Sequence, residues 1–180
     1  ISNSLMNIII HPPHNEWSAL LQRPAMDHSM LEAAVLEVLN NVKQNGDKAL
    51  VEFTQRFDGV LLKNIKVSDV EIAAAEQELT TELKAAIAQA KENIERFHAA
   101  QVQPVVKVET MPGVQCWRKS IGIEKVGLYI PGGSAPLFST VLMLGIPAVL
   151  AGCREIILCT PPGKDGNIHP AVLYAAKVAG

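Results

Sequence analysis

The fold is decided by Val126-Gly-Leu-Tyr-Ile-Pro-Gly-Gly-Ser-Ala-Pro-Leu-Phe-Ser-Thr140. In this stretch an apolar run leads into a glycine pair held between two prolines, and a second apolar segment follows. The order is typical of a strand, a loop and a helix in an α/β protein. Glycines let a ligand approach the backbone, while Pro131 and Pro136 stiffen the loop. Because ligands bind beyond the carboxyl ends of parallel strands, this loop is a candidate binding site.

The rest of the carboxyl-terminal third repeats the same alternation. The pattern predicts strands over residues 123–130 and 155–159 and helices over residues 136–151 and 170–179. Strands that alternate with helices indicate parallel βαβ units. Both strands are almost continuously apolar, as expected when helices cover both faces of a sheet. Only seven charged side chains lie in residues 121–180, against 27 in residues 1–120, so we expect two architectures.

The first 120 residues are predicted to be mainly helical. Ser29 can cap a helix that ends near Gly46, and a second helix runs from Asp47 to the turn at Asp58-Gly59. Ser68-Asp-Val-Glu71 has the spacing of a capping box, and the pattern predicts one long helix after it, to about His98. Its apolar stripe is Leu79, Leu83, Ile87, Ala90, Ile94 and Phe97. Residues 105–110 and 114–118 then predict a hairpin around Pro112-Gly113.

Composition narrows the class of protein. The 180 residues are 48% apolar and 19% charged with a net charge of -2, which predicts a globular protein without general attraction to nucleic acid or anionic membranes. Three cysteines without C-x-x-C spacing suit free thiols and a cytoplasmic location. The longest apolar window, residues 141–153, is too short to span a bilayer, and the apolar run at residues 8–10 lacks the features of a signal peptide.

For several candidate site residues, the sequence allows both a functional and a purely structural interpretation. Tyr129 is either a flat contact for a ring or ribose, or a core aromatic with a satisfied hydroxyl. Ser134 and Ser139 could be nucleophiles only with a base such as His169, and loop hydrogen bonding is the simpler interpretation. His11-Pro-Pro-His14 suggests a metal only weakly, because no ligand cluster accompanies it. The glycines at 127, 132 and 133 match neither the Rossmann fingerprint nor a P-loop.

Over almost its whole length, the sequence resembles the L-histidinol dehydrogenase family. Its Tyr-Ile-Pro-Gly-Gly-Ser-Ala-Pro run is the most specific part of the resemblance. Further similar motifs occur in the family's order: Gln44-Asn-Gly-Asp-Lys-Ala-Leu50, Phe57-Asp58, Phe97-His98, Thr110-x-Pro-Gly-Val114, Ala151-Gly-Cys153 and Cys159-x-Pro-Pro162.

The resemblance implies a fold and an activity. The expected fold is α/β, with a helical amino-terminal region and part of an incomplete Rossmann-like parallel sheet related to aldehyde dehydrogenase. Expected domains are an arm over residues 1–25, a helix-rich part over 26–120 and the start of an NAD-binding domain over 121–180. The implied enzyme is a cytoplasmic, zinc-dependent homodimer that oxidises L-histidinol to L-histidine, the last step of histidine biosynthesis, while reducing two NAD molecules.

The same resemblance implies roles for a few residues. Tyr129 is expected to contact NAD, Pro131 to line the same site, and Ser139 to face the histidinol pocket. In the family the zinc ligands and the Glu-His acid/base pair come from later segments, so none of them is expected among these residues. The chain is therefore expected to be an amino-terminal fragment, inactive alone. The alternative is a non-catalytic nucleotide-binding or interaction module of α/β type.

Overall fold

The computed structural model describes residues 8–23, 29–133 and 135–180. Its elements alternate between helix and strand in the second half of the chain, as the sequence predicts, and the protein is of the α/β class. After a 3₁₀ turn at His14–Glu16, the helices are α1 (Trp17–Leu20), α2 (Ser29–Asn45), α3 (Asp47–Asp58), α4 (Asp69–Glu78), α5 (Thr81–Ala99), α6 (Phe138–Leu150) and α7 (Pro170–Ala179). The strands are β1 (Lys107–Met111), β2 (Val114–Trp117), β3 (Lys125–Tyr129) and β4 (Glu155–Cys159).

Glycines end both of the first long helices, as predicted. Gly46 separates α2 from α3 with φ of 56°, and Gly59 follows α3 with φ of 72°. Both angles lie in the region that favours glycine, so each helix stops where the sequence changes to Gly. The predicted cap at Ser29 concerns a side chain that lies outside the described residues, as do His28 and Ser134.

The predicted capping box is confirmed, but the single long helix is wrong. The Ser68 hydroxyl accepts the Glu71 N–H at 3.3 Å, and the Glu71 carboxylate accepts the Ser68 N–H at 2.7 Å. The helix then ends at Glu78, and α5 starts anew because the Thr80 hydroxyl accepts the Leu83 N–H at 3.2 Å. A capping hydroxyl competes with helix continuation, and here it produces a second amino terminus.

The two strand pairs form separate two-stranded sheets. Strands β1 and β2 are an antiparallel hairpin, while β3 and β4 are parallel, with Lys125 opposite Glu155 and Tyr129 opposite Cys159. The parallel pair confirms the predicted βαβ unit, in which α6 is the crossover. Both sheets expose apolar side chains on the parts of the chain that the structure describes, including Ile157 at 53%.

The core lies on one face of the β3–β4 sheet, where α6 packs on the strands and α5 and α7 pack on α6. Its buried residues are Ile87, Ile130, Val141, Leu142, Ile146, Val172 and Ala175. Gly145 lets α7 approach, since a Cβ there would lie 3.1 Å from the Ala179 methyl. Most of the predicted apolar stripe joins this core, whereas Phe97, at the carboxyl-terminal end of the stripe, is 67% exposed.

The second face of this sheet differs from the prediction. Continuous apolar strands predicted helices on both faces, yet Tyr129 and Ile157 remain exposed on the face away from α6 among the described residues. Alternation along β3 explains the difference, because Leu128 and Ile130 point into the core while Tyr129 points away. No helix of the described residues has both the length and the apolar character needed to cross a bilayer.

The contact between α4 and α7 predicts a pH-dependent stability. The Lys177 ammonium donates a hydrogen bond to the Glu76 carboxylate and holds the pKa of that carboxyl below its ordinary value of 4.5. A depressed pKa in the folded state adds stability above pH 4.5, and this stability is lost as the pH falls through the folded pKa. We expect Glu76→Gln to lower the urea midpoint at pH 7 and to have progressively less effect below pH 4.5.

The matched control is Glu52→Gln. Glu52 forms a more exposed pair with Lys48 at 4.0 Å within one helix, and such pairs contribute little to stability. Urea titrations at pH 7 and at acidic pH should therefore show no pH-dependent difference for this variant. An equal midpoint change for Glu76→Gln at both pH values would contradict the assignment of the effect to the ion pair.

Candidate functional site

A cleft of about 410 Å³ opens at the carboxyl ends of β3 and β4. It lies between residues 130–133 and 135–136, here called the β3 loop, and residues 160–169, here called the β4 loop. The buried residues Ile130 and Val172 line it from the core side. The crossover therefore places two loops of different strands around one concave surface, which is the usual position of ligands in open α/β sheets.

The β3 loop supplies a rigid side of the cleft. Ile130 donates its N–H to the Cys159 carbonyl at 2.9 Å, which continues the parallel ladder into the loop. A Cβ built on Gly132 would lie 2.8 Å from Cγ of Pro161, so only glycine allows the two loops this approach. Pro131, Gly133 and Pro136 also line the cleft. The loop thus combines backbone accessible to a ligand with prolines that restrict its movement.

The β4 loop is held by its own hydrogen bonds. The Gly163 N–H donates to the Asn167 carbonyl at 2.8 Å, and Gly166 turns the chain with φ of 83°. Asp165 accepts hydrogen bonds from the Asn167 side chain and backbone N–H, both at 3.1 Å. These bonds, the side-chain bond first, lower the pKa of the Asp165 carboxyl, so it remains a carboxylate at neutral pH.

His169 caps α7 and faces the same cleft. Its Nδ1 accepts the Ala171 N–H at 3.1 Å, and Pro170 occupies the first helical position, where an N–H would have no intrahelical partner. Because Nδ1 is the acceptor, the neutral ring carries its proton on Nε2. His169 therefore stabilises the helix terminus and presents an N–H donor at the other side of its ring.

The three predicted site residues occupy different places. Pro131 lines the cleft. Tyr129, which is 65% exposed, projects from the uncovered sheet face beside Cys159, just before the β3 loop, and is not part of the cleft lining. Ser139 is exposed in the first turn of α6 and is not part of the cleft lining. The structure therefore places Tyr129 and Pro131 at the same edge of the sheet, on either side of the end of β3.

Metal-ligating side chains do not converge in the part of the chain that the structure describes. It contains no group of three or more His, Cys, Asp or Glu residues that could hold an ion. The His14 ring contacts the Trp17 ring with centroids 4.5 Å apart and planes tilted by 32°, and the nearby His11 is exposed. All three cysteines are free thiols, as predicted.

Sequence reasoning missed the acidic and amide groups of the cleft. Glu78 was predicted to lie inside a long helix, whereas it is the last residue of α4 and lines the cleft. Asp165 and Asn167 lie between the predicted strand over residues 155–159 and the predicted helix over residues 170–179, where the sequence indicates only a loop. The signal for Glu78 was Thr80-Thr81-Glu82, since a hydroxyl residue followed by an acidic first turn marks a helix start.

Comparisons with known proteins agree on one family. A family model described as histidinol dehydrogenase matches residues 21–180. The Bacteroides thetaiotaomicron histidinol dehydrogenase is 55% identical over 176 residues, which are 98% of this chain and 41% of that protein. The Escherichia coli K12 histidinol dehydrogenase is 51% identical over 162 residues, covering 89% of this chain and 36% of the relative.

A crystal structure of histidinol dehydrogenase from Elizabethkingia anophelis has the same fold. It matches with a TM-score of 0.88 and 53% identity, over 94% of this chain and 39% of that one. The chain thus spans about two fifths of the length of these relatives. Because the family model matches far more than half of the residues, the chain belongs to the histidinol dehydrogenase family.

Proposed function

We propose that this chain contributes one side of the NAD site of a histidinol dehydrogenase. The cleft between the β3 and β4 loops carries the proposal, because it lies at the carboxyl ends of parallel strands. The family name supports an oxidoreductase that acts on histidinol. The proposed overall reaction is the zinc-dependent, NAD-linked oxidation of L-histidinol through the aldehyde to L-histidine.

The residues of the cleft fit a dinucleotide. Gly132 and Gly133 offer backbone without side chains, and the close approach of Gly132 to Pro161 leaves a narrow, preformed edge. Tyr129 could pack its ring against a flat part of the ligand from the exposed sheet face, where aromatic contacts give both area and orientation. When bound, NAD supplies the hydride acceptor. The residues of this chain bind and orient it.

The residues that act on the alcohol are proposed to lie elsewhere. The described residues contain no ligand cluster that fits zinc, so we assign no chemical step to a metal within this chain. Ser139 is proposed to reach the substrate from the first turn of α6. The domains are proposed to be an arm over residues 1–25, a helix-rich part over 26–120 and an NAD-binding part over 121–180. A cytoplasmic homodimer is proposed for the whole protein.

Replacing Tyr129 tests this NAD site. A suitable protein is a chimera, here called the full-length chimera. In it the 180 residues of this chain replace the matching segment of the Bacteroides thetaiotaomicron relative. We expect Tyr129→Ala to raise the dissociation constant for NAD roughly fivefold, because one aromatic contact stabilises a complex by about 1 kcal/mol. Isothermal titration calorimetry of the chimera measures this change, and Tyr129→Phe separates the ring from the hydroxyl.

Ile157→Ala is the matched control. Ile157 lies on the same exposed face of the sheet and, like Tyr129, is not part of the cleft lining. It lies opposite Gly127 in the neighbouring strand, two residues before the level of Tyr129 and therefore farther from the β3 loop. The control should bind NAD like the unsubstituted chimera. Equal NAD affinity for Tyr129→Ala and Ile157→Ala would show that Tyr129 is not a cofactor contact.

A further inference from the structure

The charged side chains among the described residues that line the cleft are all acidic. The described lining includes two carboxylates, Glu78 and Asp165, the neutral side chains of Asn167 and His169, and neither lysine nor arginine. A site for a dinucleotide that carries an extra 2′-phosphate needs cationic or neutral donors at that position, whereas carboxylates repel the phosphate. A carboxylate in the lining therefore favours a ligand whose ribose hydroxyls beside it are unmodified.

The Asp165 carboxylate already accepts hydrogen bonds from within its own loop. Its two oxygens accept hydrogen bonds from Asn167, so they shape the β4 loop. Glu78 differs, because no hydrogen bond or ion pair to another described residue engages its carboxylate. Of the two acidic groups, Glu78 is the one with its acceptor capacity available to a ligand.

The position of Glu78 is unfavourable for its own helix. It is the last residue of α4, where the helix dipole is negative, and a carboxylate there destabilises the helix terminus. The helix is nevertheless held in place two residues earlier, since Glu76 pairs with Lys177 of α7. Because α4 packs along α7, whose first residue Pro170 lines the cleft, the last residue of α4, Glu78, borders the cleft as well.

We propose that Glu78 is a specificity-determining residue that selects NAD over NADP, by accepting hydrogen bonds from ribose hydroxyls and repelling a 2′-phosphate. This inference rests on the proposed NAD site in the cleft. Phosphates of the dinucleotide would lie toward the glycines of the β3 loop, and the ribose hydroxyls toward α4. Selection then follows both from an attractive contact and from a repulsive one.

The test compares the affinities of the full-length chimera for NAD and NADP by calorimetry. Glu78→Gln keeps the size of the side chain and removes its charge, so we expect the preference for NAD to fall about tenfold, consistent with losing one charge repulsion in a partly exposed site. Glu78→Lys should reduce it further. The control is Glu82→Gln in the exposed first turn of α5, outside the cleft lining, and it should keep the parental preference.

Gly132→Ala separates the two proposals, because its Cβ would displace Pro161 and narrow the cleft for either dinucleotide. Suppose that Gly132→Ala binds both dinucleotides more weakly, while both Glu78 variants keep the parental preference for NAD over NADP. This result would overturn the proposed role of Glu78 in specificity and leave the NAD site in place. If Gly132→Ala and the Glu78 variants all bind both dinucleotides like the parent, the cleft is not the NAD site and the inference fails with it.

Discussion

Replacing Gly122 with alanine is expected to unfold the protein at much lower urea concentration. A Cβ on Gly122 would lie 2.1 Å from the Ala151 carbonyl oxygen and 3.0 Å from its carbon. These are backbone atoms at the end of α6, so no flexible side chain can move aside. Relieving the clash requires separating the start of β3 from α6, and we expect a loss of roughly 3 kcal/mol or more.

The close approach of Gly122 to Ala151 also positions β3 beside β4. The Glu124 carbonyl accepts N–H groups from Arg154 at 2.9 Å and Glu155 at 3.1 Å, just where β4 begins. Moving the segment before β3 would disturb these bonds and the register of the parallel pair. Loss of stability should therefore be accompanied by loss of the cleft at the other end of the strands.

Gly127→Ala is the matched control, because a Cβ there meets nothing within 4 Å. Its substitution should change the free energy of unfolding by no more than about 0.5 kcal/mol. Urea denaturation followed by circular dichroism measures both variants under the same conditions. If Gly122→Ala unfolds at the same urea concentration as Gly127→Ala, the close approach to Ala151 is not a feature of the folded protein.

The second large effect concerns catalysis by the 180 residues alone. We expect no histidinol-dependent reduction of NAD, even with added zinc, since the described residues hold no cluster of metal ligands and the proposed acid/base groups lie in other segments. Oxidation of an alcohol by hydride transfer needs a base for the hydroxyl proton and groups that stabilise the developing charge. Absorbance of NADH during incubation with L-histidinol measures the rate.

The full-length chimera is the positive control, and it should turn over histidinol because it regains the matching relative's other segments. Circular dichroism of the 180-residue chain establishes that it is folded under the assay conditions. Turnover by the folded chain alone would contradict the assignment of the chemistry to other segments. Calorimetry of the same sample with NAD tests the alternative of a self-sufficient nucleotide-binding module, which would bind NAD without catalysis.

Local patterns predicted most of the helices and strands. Ser68 and Glu71 determined a helix start because the two residues of the capping box are only three positions apart in the chain. The same local logic failed at Thr80, where the apolar stripe of residues 72–98 continued smoothly through a break. The apolar stripe indicates only which face of the helix is buried. The break depends instead on the Thr80 hydroxyl, which accepts the N–H of Leu83, and this interaction is independent of the apolar pattern.

The candidate site was predicted only in part. Pro131 and the glycines followed from the strand and loop pattern, because a loop after a parallel strand lies at the sheet edge. Glu78 is separated from these residues by more than fifty positions in the chain, and no local pattern links them. Its place in the cleft depends on α4 packing against α7, which the Glu76–Lys177 pair helps to fix.

The sequence by itself determined the α/β class, the parallel βαβ unit and the family, since these depend on periodicity, glycine and proline positions and motif identity. Only the tertiary structure decided which face of the β3–β4 sheet is buried, how closely Gly132 approaches Pro161, and that carboxylates border the cleft. The physical reason is that these features arise from contacts between segments distant in the chain. Short-range patterns restrict each segment, but packing places the segments against one another.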